Sequence, residues 1–161
     1  MSLITDIVFK EAIMSNAEIR AIVTPAATSY QAHPQPRIYN VAIPVPDEDL
    51  DNVQVPYIII MPGTGVNDMS TKDDYEGDTD TVNIEILVAT TTRGQLGKLM
   101  KMIRNAVQDF ISDYTPPEDD DAEDLSEEIP IDYTLRWSEV FFNAYKPCYY
   151  QSFYYQCDTN R

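Results

Sequence analysis

The sequence has little of what catalytic and metal sites are usually built from. Among 161 residues it has one histidine, His33, and two cysteines, Cys148 and Cys157. His33 stands between prolines in a segment that predicts a loop, and no nucleophile lies at a recognisable spacing from it. Acidic residues abound, but only in polar segments that cannot fix the geometry of acid–base chemistry. We therefore expect no enzyme, no metal site and no cofactor.

Long apolar runs are also missing. No stretch of about 18 apolar residues occurs, so we expect no membrane-spanning helix. Residues 1–7 lack both a basic region and a long apolar core, so no secretory signal is expected. The two cysteines would lie on opposite faces of one strand, which favours reduced thiols in a cytoplasmic setting over a disulfide.

Basic residues are scarce as well. Eleven Lys and Arg face 27 Asp and Glu, which gives a net charge of −16. Direct binding of nucleic acid is not expected, because phosphate binding requires a basic surface. The charge instead suits solubility, or a surface that repels DNA. Nine acidic residues lie between Asp113 and Glu128, and six more between Asp68 and Asp80.

The clearest pattern that is present runs from Thr81 to Ile111. Residues Thr81–Thr90 alternate between apolar and polar side chains, which predicts a strand buried on one face. From Gln95 the apolar residues recur at steps of three and four, which predicts a helix of about five turns. The strand and the helix should pack on one another.

Further elements flank this pair. Residues 2–23 predict two helical segments, with a cap at Ser15–Asn16. Arg37–Val45 predicts a strand, and Val55–Met61 predicts a central strand covered on both sides. Residues 129–142 and 149–156 predict a long antiparallel hairpin.

These elements predict a single α+β domain over residues 1–161. Their order is α-β-β-β-α-β-β, with one long helix packed on a mostly antiparallel sheet of about five strands and a short helical segment at the N-terminus. The acidic segments 63–80 and 113–128 are predicted to be flexible.

Two short motifs indicate ligands only weakly. Gly63-Thr-Gly65 lacks the other glycines and the lysine of a phosphate loop. A calcium hypothesis arises from the alternating acidic residues of the segment 63–80. However, the glycine stands at the fourth position of the candidate loop instead of the sixth, and the last carboxylate, Glu85, falls within a strand. A solvated loop is therefore favoured. The acidic residues in question are Asp74, Glu76, Asp78, Asp80 and Glu85.

Aromatic residues crowd the last predicted strand. Tyr149-Tyr150 and Tyr154-Tyr155 place rings on both faces, because neighbouring residues of a strand point in opposite directions. One face can enter the core, and the other must be exposed, covered or buried in an interface, where tyrosine is enriched. Stacking on single-stranded nucleic acid is disfavoured because basic residues are missing. The candidate interface residues are Tyr149, Tyr150, Phe153, Tyr154, Tyr155, Asp68, Asp73, Asp74 and Glu76.

The order of elements resembles a known family. An N-terminal helix, the strand Val55-Pro-Tyr-Ile-Ile-Ile-Met61, a polar loop, the strand and helix of residues 81–111 and an aromatic hairpin together resemble the tail-completion, or tail-terminator, proteins of long-tailed bacteriophages and prophages. The similarity spans about residues 6–157. The acidic linker 115–128 and the strand 129–137 are longer than the family usually has.

The resemblance implies a structural protein of the virion tail or neck, assembled in the bacterial cytoplasm. It implies a ring, typically a hexamer, that caps the tail tube and joins it to the head while DNA passes without specific binding. Tail-tube and neck proteins would be the partners, and no membrane is involved. Segments 63–80 and 115–128 and the strand 149–155 would then contact neighbours or line the lumen.

Two alternatives from other classes remain open. The chain could be a head-completion adaptor or stopper of the neck. It could also be a small acidic binding module that mimics nucleic acid and blocks a basic protein. The mimic would stay monomeric and bind basic proteins, whereas a terminator should form rings, or bind tail-tube protein while being monomeric when alone.

Overall fold

A computed structural model describes residues 6–40, 54–68 and 79–160, with the backbone alone at residues 64–68, 79, 80 and 160. The described helices are α1 (Asp6–Met14), α2 (Ala17–Val23) and α3 (Arg93–Asp113). The described strands are β1 (Ile38–Asn40), β2 (Tyr57–Asp68), β3 (Thr79–Thr90), β4 (Asp132–Trp137), β5 (Phe141–Asn143) and β6 (Cys148–Asn160).

The six strands form one sheet in the order β1-β2-β3-β6-β4, and β5 also pairs with β6. The pairing of β1 with β2 is parallel, and the other pairings are antiparallel. The predicted α+β class with a mostly antiparallel sheet is thus confirmed. The second helical segment predicted within residues 2–23 forms as α2, and β5 separates from a longer predicted strand, which gives the order α-α-β-β-β-α-β-β-β.

The strand and helix with the clearest sequence pattern form as predicted. Thr92 caps α3, because its hydroxyl accepts a hydrogen bond of 3.2 Å from the backbone N–H of Gln95. Asn16 caps α2 in the same way, accepting from the N–H of Ile19 at 3.0 Å. Both caps satisfy donors that a helix leaves unpaired in its first turn.

The core lies between one face of the sheet and the helices. The apolar stripe of α3 and the apolar face of β3 are buried together, and α1 packs beside α3 over the same face. The fully buried side chains with the largest volumes include Tyr155, Phe9, Ile13, Ile58, Ile60, Ile84, Ile86, Leu96, Leu99 and Ile103. No described helix covers the opposite face of the sheet. Ile59 points to that face and is nevertheless buried, so the prediction that Val55–Met61 is buried on both sides is confirmed for Ile58–Ile60.

The polar loop predicted at residues 63–80 is shorter than expected. Strand β2 continues to Asp68 and β3 begins at Thr79, where residues 65–68 pair with residues 79–82. The register shifts between Pro62 and Gly65, so a bulge lets the strand continue through a Gly-rich segment that has no alternating pattern. The middle of the predicted loop lies outside the described residues.

The predicted aromatic hairpin forms, with one difference in position. The strand β6 pairs with β4 and β5 on one side and with β3 on the other, so it lies inside the sheet. Its ladder with β3 runs from Thr79 to Thr90. Both edges of β6 are therefore paired with other strands over most of its length.

Candidate interaction surfaces

Strand β6 divides the predicted interface residues between two faces. Phe153 and Tyr155 point to the helices and are 5% and 1% exposed. Their rings belong to the core, and only a small part of Phe153 reaches the surface, where it lines the groove described below. The sequence could not assign the face, because aromatic residues occupy both.

The hydroxyl of Tyr155 is buried and has no hydrogen-bond partner among the described residues. Burial, with Tyr133 and Cys157 close by, raises the pKa of Tyr155 well above its ordinary value of 10.0. The phenol therefore stays neutral, and its role in this core is that of a large apolar ring.

Tyr150 and Tyr154 lie on the face of the sheet that no described helix covers; we call it the open face. The ring of Tyr150 stacks on that of Phe141, with centroids 5.3 Å apart and planes at 22°. Tyr154 is 40% exposed and lies between Glu85 of β3 and Arg136 of β4 in the strand register. These two tyrosines remain candidates for a contact surface.

The open face is partly closed at one end. Burial, together with the neighbouring Cys148 and Tyr150, raises the pKa of Tyr57 above its ordinary value. Cys148 is buried there as a free thiol, and burial raises its pKa as well. Such a thiol is a packing residue with little thiolate and low reactivity.

Tyr149 packs at the border of the helix side. Its ring meets that of Phe142 at 5.1 Å with a tilt of 50°, and Phe142 is 55% exposed. The hairpin therefore presents exposed aromatic residues on both sides of its closed end.

The predicted acidic contact residues lie mostly beyond the structure. Asp68 is the last residue of β2, and its backbone alone is described. Asp73, Asp74 and Glu76 lie outside the described residues. Their part in an interface, and the calcium hypothesis that shares Asp74 and Glu76, remain predictions.

The acidic segment after α3 is attached to the domain at its far end. Leu125 is 6% exposed and joins the core. The Tyr114 hydroxyl accepts a 2.7 Å hydrogen bond from the N–H of Leu125 and donates to the carboxylate of Asp124 at 3.1 Å. Hydrogen bonds from Ser126 hold the pKa of Asp124 below its ordinary value. Residues 115–124 between these anchors are exposed, and their flexibility stays a prediction.

The structure also shows a groove that the sequence did not indicate. It lies between α3 and the β4–β6 hairpin and has a volume of about 270 Å³. Lys101 and Arg104 stand on its helix side, and Trp137, 61% exposed, stands on its strand side. Both cations fall between the apolar positions of the helical pattern after Gln95, on the polar side of α3, and the packing of the hairpin brings Trp137 beside them.

No reactive constellation is assembled in the described part of the chain. His33 is exposed in the loop after α2. Among the described residues, no group of three or more His, Cys, Asp or Glu side chains is arranged to hold a metal ion. None of the described helices is long and apolar enough to cross a membrane.

The fold itself is shared with a known particle component. The chain is similar to a chain of the solved structure titled "Virion of native gene transfer agent (GTA) particle". The alignment covers 97% of this chain and 94% of that chain, with 13% identity and a TM-score of 0.51. At this identity the likeness shows a common fold. No family model matches the sequence, and no curated protein does.

Proposed function

We propose, from this shared fold, that the chain is a structural protein of a phage-like virion. The observation that carries the proposal is the near-complete overlap, 97% and 94% of the two chains, with a chain of a gene transfer agent virion. An overlap of this extent concerns the whole domain and not one common supersecondary motif. The role we propose is assembly with other virion proteins, without catalysis.

The surfaces of the domain support an assembly role. The hairpin carries most of the exposed large apolar residues within one supersecondary unit: Trp137, Phe141, Phe142, Tyr145 and Tyr154. Exposed aromatic residues close together are characteristic of surfaces that other proteins cover. A hairpin with such residues on both sides can contact two neighbours at once.

Within the virion, the finer role we propose is that of tail terminator. A subunit with two different contact surfaces closes into a ring when the rotation between neighbours permits it. A ring of chains that each carry a net charge of −16 would present a lumen that repels phosphate. Such a ring can stop the growth of a tail tube and let DNA pass.

Deletion of the gene in the cells that encode it tests this role. After induction of particle formation, electron microscopy should show tails that are overlong or irregular and not joined to heads, because nothing stops tube growth. A plasmid copy of the gene should restore joined particles of uniform tail length.

The other outcomes separate the alternatives. Tails of normal length that fail to join heads would replace the terminator by an adaptor or stopper of the neck. Normal particles from the deletion strain, together with absence of the chain from purified particles, would overturn a virion role and favour the acidic mimic.

A further inference from the structure

The groove between α3 and the hairpin combines two kinds of chemistry. On one wall stand the cations Lys101 and Arg104, and on the other stands the indole of Trp137. Met100 and Phe153, 6% and 5% exposed, line it as well. An occupant that matches these walls must offer an apolar surface beside negative charge.

The cations of this groove are available to a partner. Within the described residues, neither Lys101 nor Arg104 takes part in an ion pair. Both side chains are exposed in a chain that carries 27 acidic residues. A positive groove on so negative a protein attracts acidic segments, including those of other copies.

Gly97 keeps the helix side of the groove open. A Cβ atom placed on it would meet nothing within 4 Å. Alanine would be the better helix former at this position in the second turn of α3. The missing side chain leaves room for a main chain to lie against the helix.

The exposed segment Pro116–Glu123 has the complementary chemistry. Two prolines come first, and five acidic residues follow: Glu118, Asp119, Asp120, Asp121 and Glu123. Every residue of the segment is exposed. Proline-rich segments dock on exposed aromatic rings with little loss of entropy, because their extended conformation is already set. The carboxylates beyond the prolines would then meet the two cations.

A chain cannot readily fill its own groove. Arg104 lies about 15 Å along the helix axis from Tyr114, after which the segment begins. The segment's far end is tied to that same end of α3 through Leu125 and Tyr114. No residue of the segment lines the groove of its own chain, so both surfaces are open to a second copy.

We propose that the groove of one copy binds Pro116–Glu123 of a second copy, with the prolines on Trp137 and the carboxylates at Lys101 and Arg104. The contact is head-to-tail, since different surfaces meet, and repeated contacts of this kind close a ring or extend a filament. The biological setting of the contact rests on the proposed virion function; its existence does not.

Trp137 makes the contact directly measurable. It is the single tryptophan of the chain, beside eleven tyrosines, so emission excited at wavelengths that only the indole absorbs reports on the groove alone. As the concentration of the full-length protein rises, we expect oligomers in sedimentation velocity, a blue shift of the emission and reduced quenching by acrylamide, all with the same midpoint. Added salt should shift that midpoint to higher concentration.

Charge exchange tests the assigned partners. The groove variant Lys101→Glu/Arg104→Glu and the segment variant Asp120→Lys/Asp121→Lys should each weaken self-association by about tenfold or more. The chain that carries all four substitutions should regain association, because the charges are then exchanged. The control Lys98→Glu/Arg20→Glu changes two exposed cations outside the groove by the same charge and should associate as the unchanged protein does.

Three results would overturn the inference. These are oligomers in which Trp137 stays open to acrylamide, association that the groove variant leaves intact, and a protein that remains monomeric at every concentration. The first two leave the virion function standing, because another surface then joins the subunits. The gene-deletion experiment decides that function independently.

Discussion

The ring of Phe9 on α1 lies against the ring of Tyr155 on β6, with centroids 4.8 Å apart and planes tilted by 56°. This contact joins the first described helix to a strand near the end of the chain, over the centre of the sheet. Both side chains are almost wholly buried. The two ends of the chain therefore stabilise one core.

Truncation of the Phe9 side chain should strongly destabilise the protein. Phe9→Ala should lower the free energy of unfolding by about 3–5 kcal/mol, because it leaves a cavity over the sheet. Phe142→Ala, which shortens a ring that is 55% exposed, is the control and should cost much less. Urea unfolding followed by circular dichroism measures both, and equal losses would contradict the assigned core.

The hydroxyl of Tyr155 should contribute nothing to stability. Tyr155→Phe removes a buried O–H group that has no hydrogen-bond partner among the described residues, so the free energy of unfolding should stay the same or rise by about 1 kcal/mol. The same urea experiment applies. A loss above about 1 kcal/mol would show that the hydroxyl is hydrogen-bonded in the folded protein.

Sequence pattern predicted the parts of this core that repeat regularly. The alternation in Thr81–Thr90 and the helical stripe after Gln95 each have one buried face, so period and burial agree. For Tyr154-Tyr155 the sequence pattern cannot predict the buried face, because both residues are tyrosine. The packing of α1 against Tyr155 decides that Tyr155 is the core residue.

Two glycines should respond to alanine in opposite directions. At Gly63 in β2 a Cβ would lie 3.0 Å from the carbonyl oxygen of Asn83 and 3.1 Å from its Cβ, so Gly63→Ala should destabilise the protein by about 1 kcal/mol or more. At Gly97 in α3 there is open space, and Gly97→Ala should stabilise it by roughly 0.5–1 kcal/mol. Thermal melts of the two variants test this, and shifts of the same sign would contradict it.

The thiol of Cys157 should make stability fall in alkaline solution. Burial, and then the nearby Asp158, raises its pKa from an ordinary value of 9.0 to about 12. The unfolded chain ionises first, so the stability contributed by the neutral buried thiol is complete below the unfolded pKa and is lost as the pH rises towards about 12. The free energy of unfolding therefore begins to fall near pH 9.

A variant without the thiol isolates this effect. Between about pH 8 and about pH 10.5, the free energy of unfolding of Cys157→Val should rise relative to that of the unchanged protein, because only the latter loses the contribution of the thiol. Urea unfolding at several pH values measures the difference. A difference that is constant over the range would show that Cys157 has no raised pKa.

The candidate surfaces were harder to predict than the core. Sequence reasoning selected the tyrosines of β6 by their abundance, and two of the selected rings proved to be core residues. It did not select Lys101, Arg104 or Trp137, because residues far apart in sequence become one groove only through the crossing of α3 and the hairpin. For an exposed charged residue on a helix, the local sequence does not predict which residues of other elements lie beside it.

The polar segment after Met61 shows a second limit. Prolines, glycines and threonines predict a turn, yet β2 passes through Pro62–Gly65 with a shift in register. Pairing with β3 stabilises the strand there. Because the paired residues of β3 are distant in sequence, the local propensities of residues 62–65 cannot predict it.

Sedimentation velocity of the purified full-length protein, with negative-stain microscopy of its peak fraction, tests most directly whether this chain works by assembly. The account predicts a closed ring of one defined size that appears with rising concentration and dissociates in high salt. A monomer that stays monomeric at all concentrations, alone and with purified tail-tube protein, would contradict it.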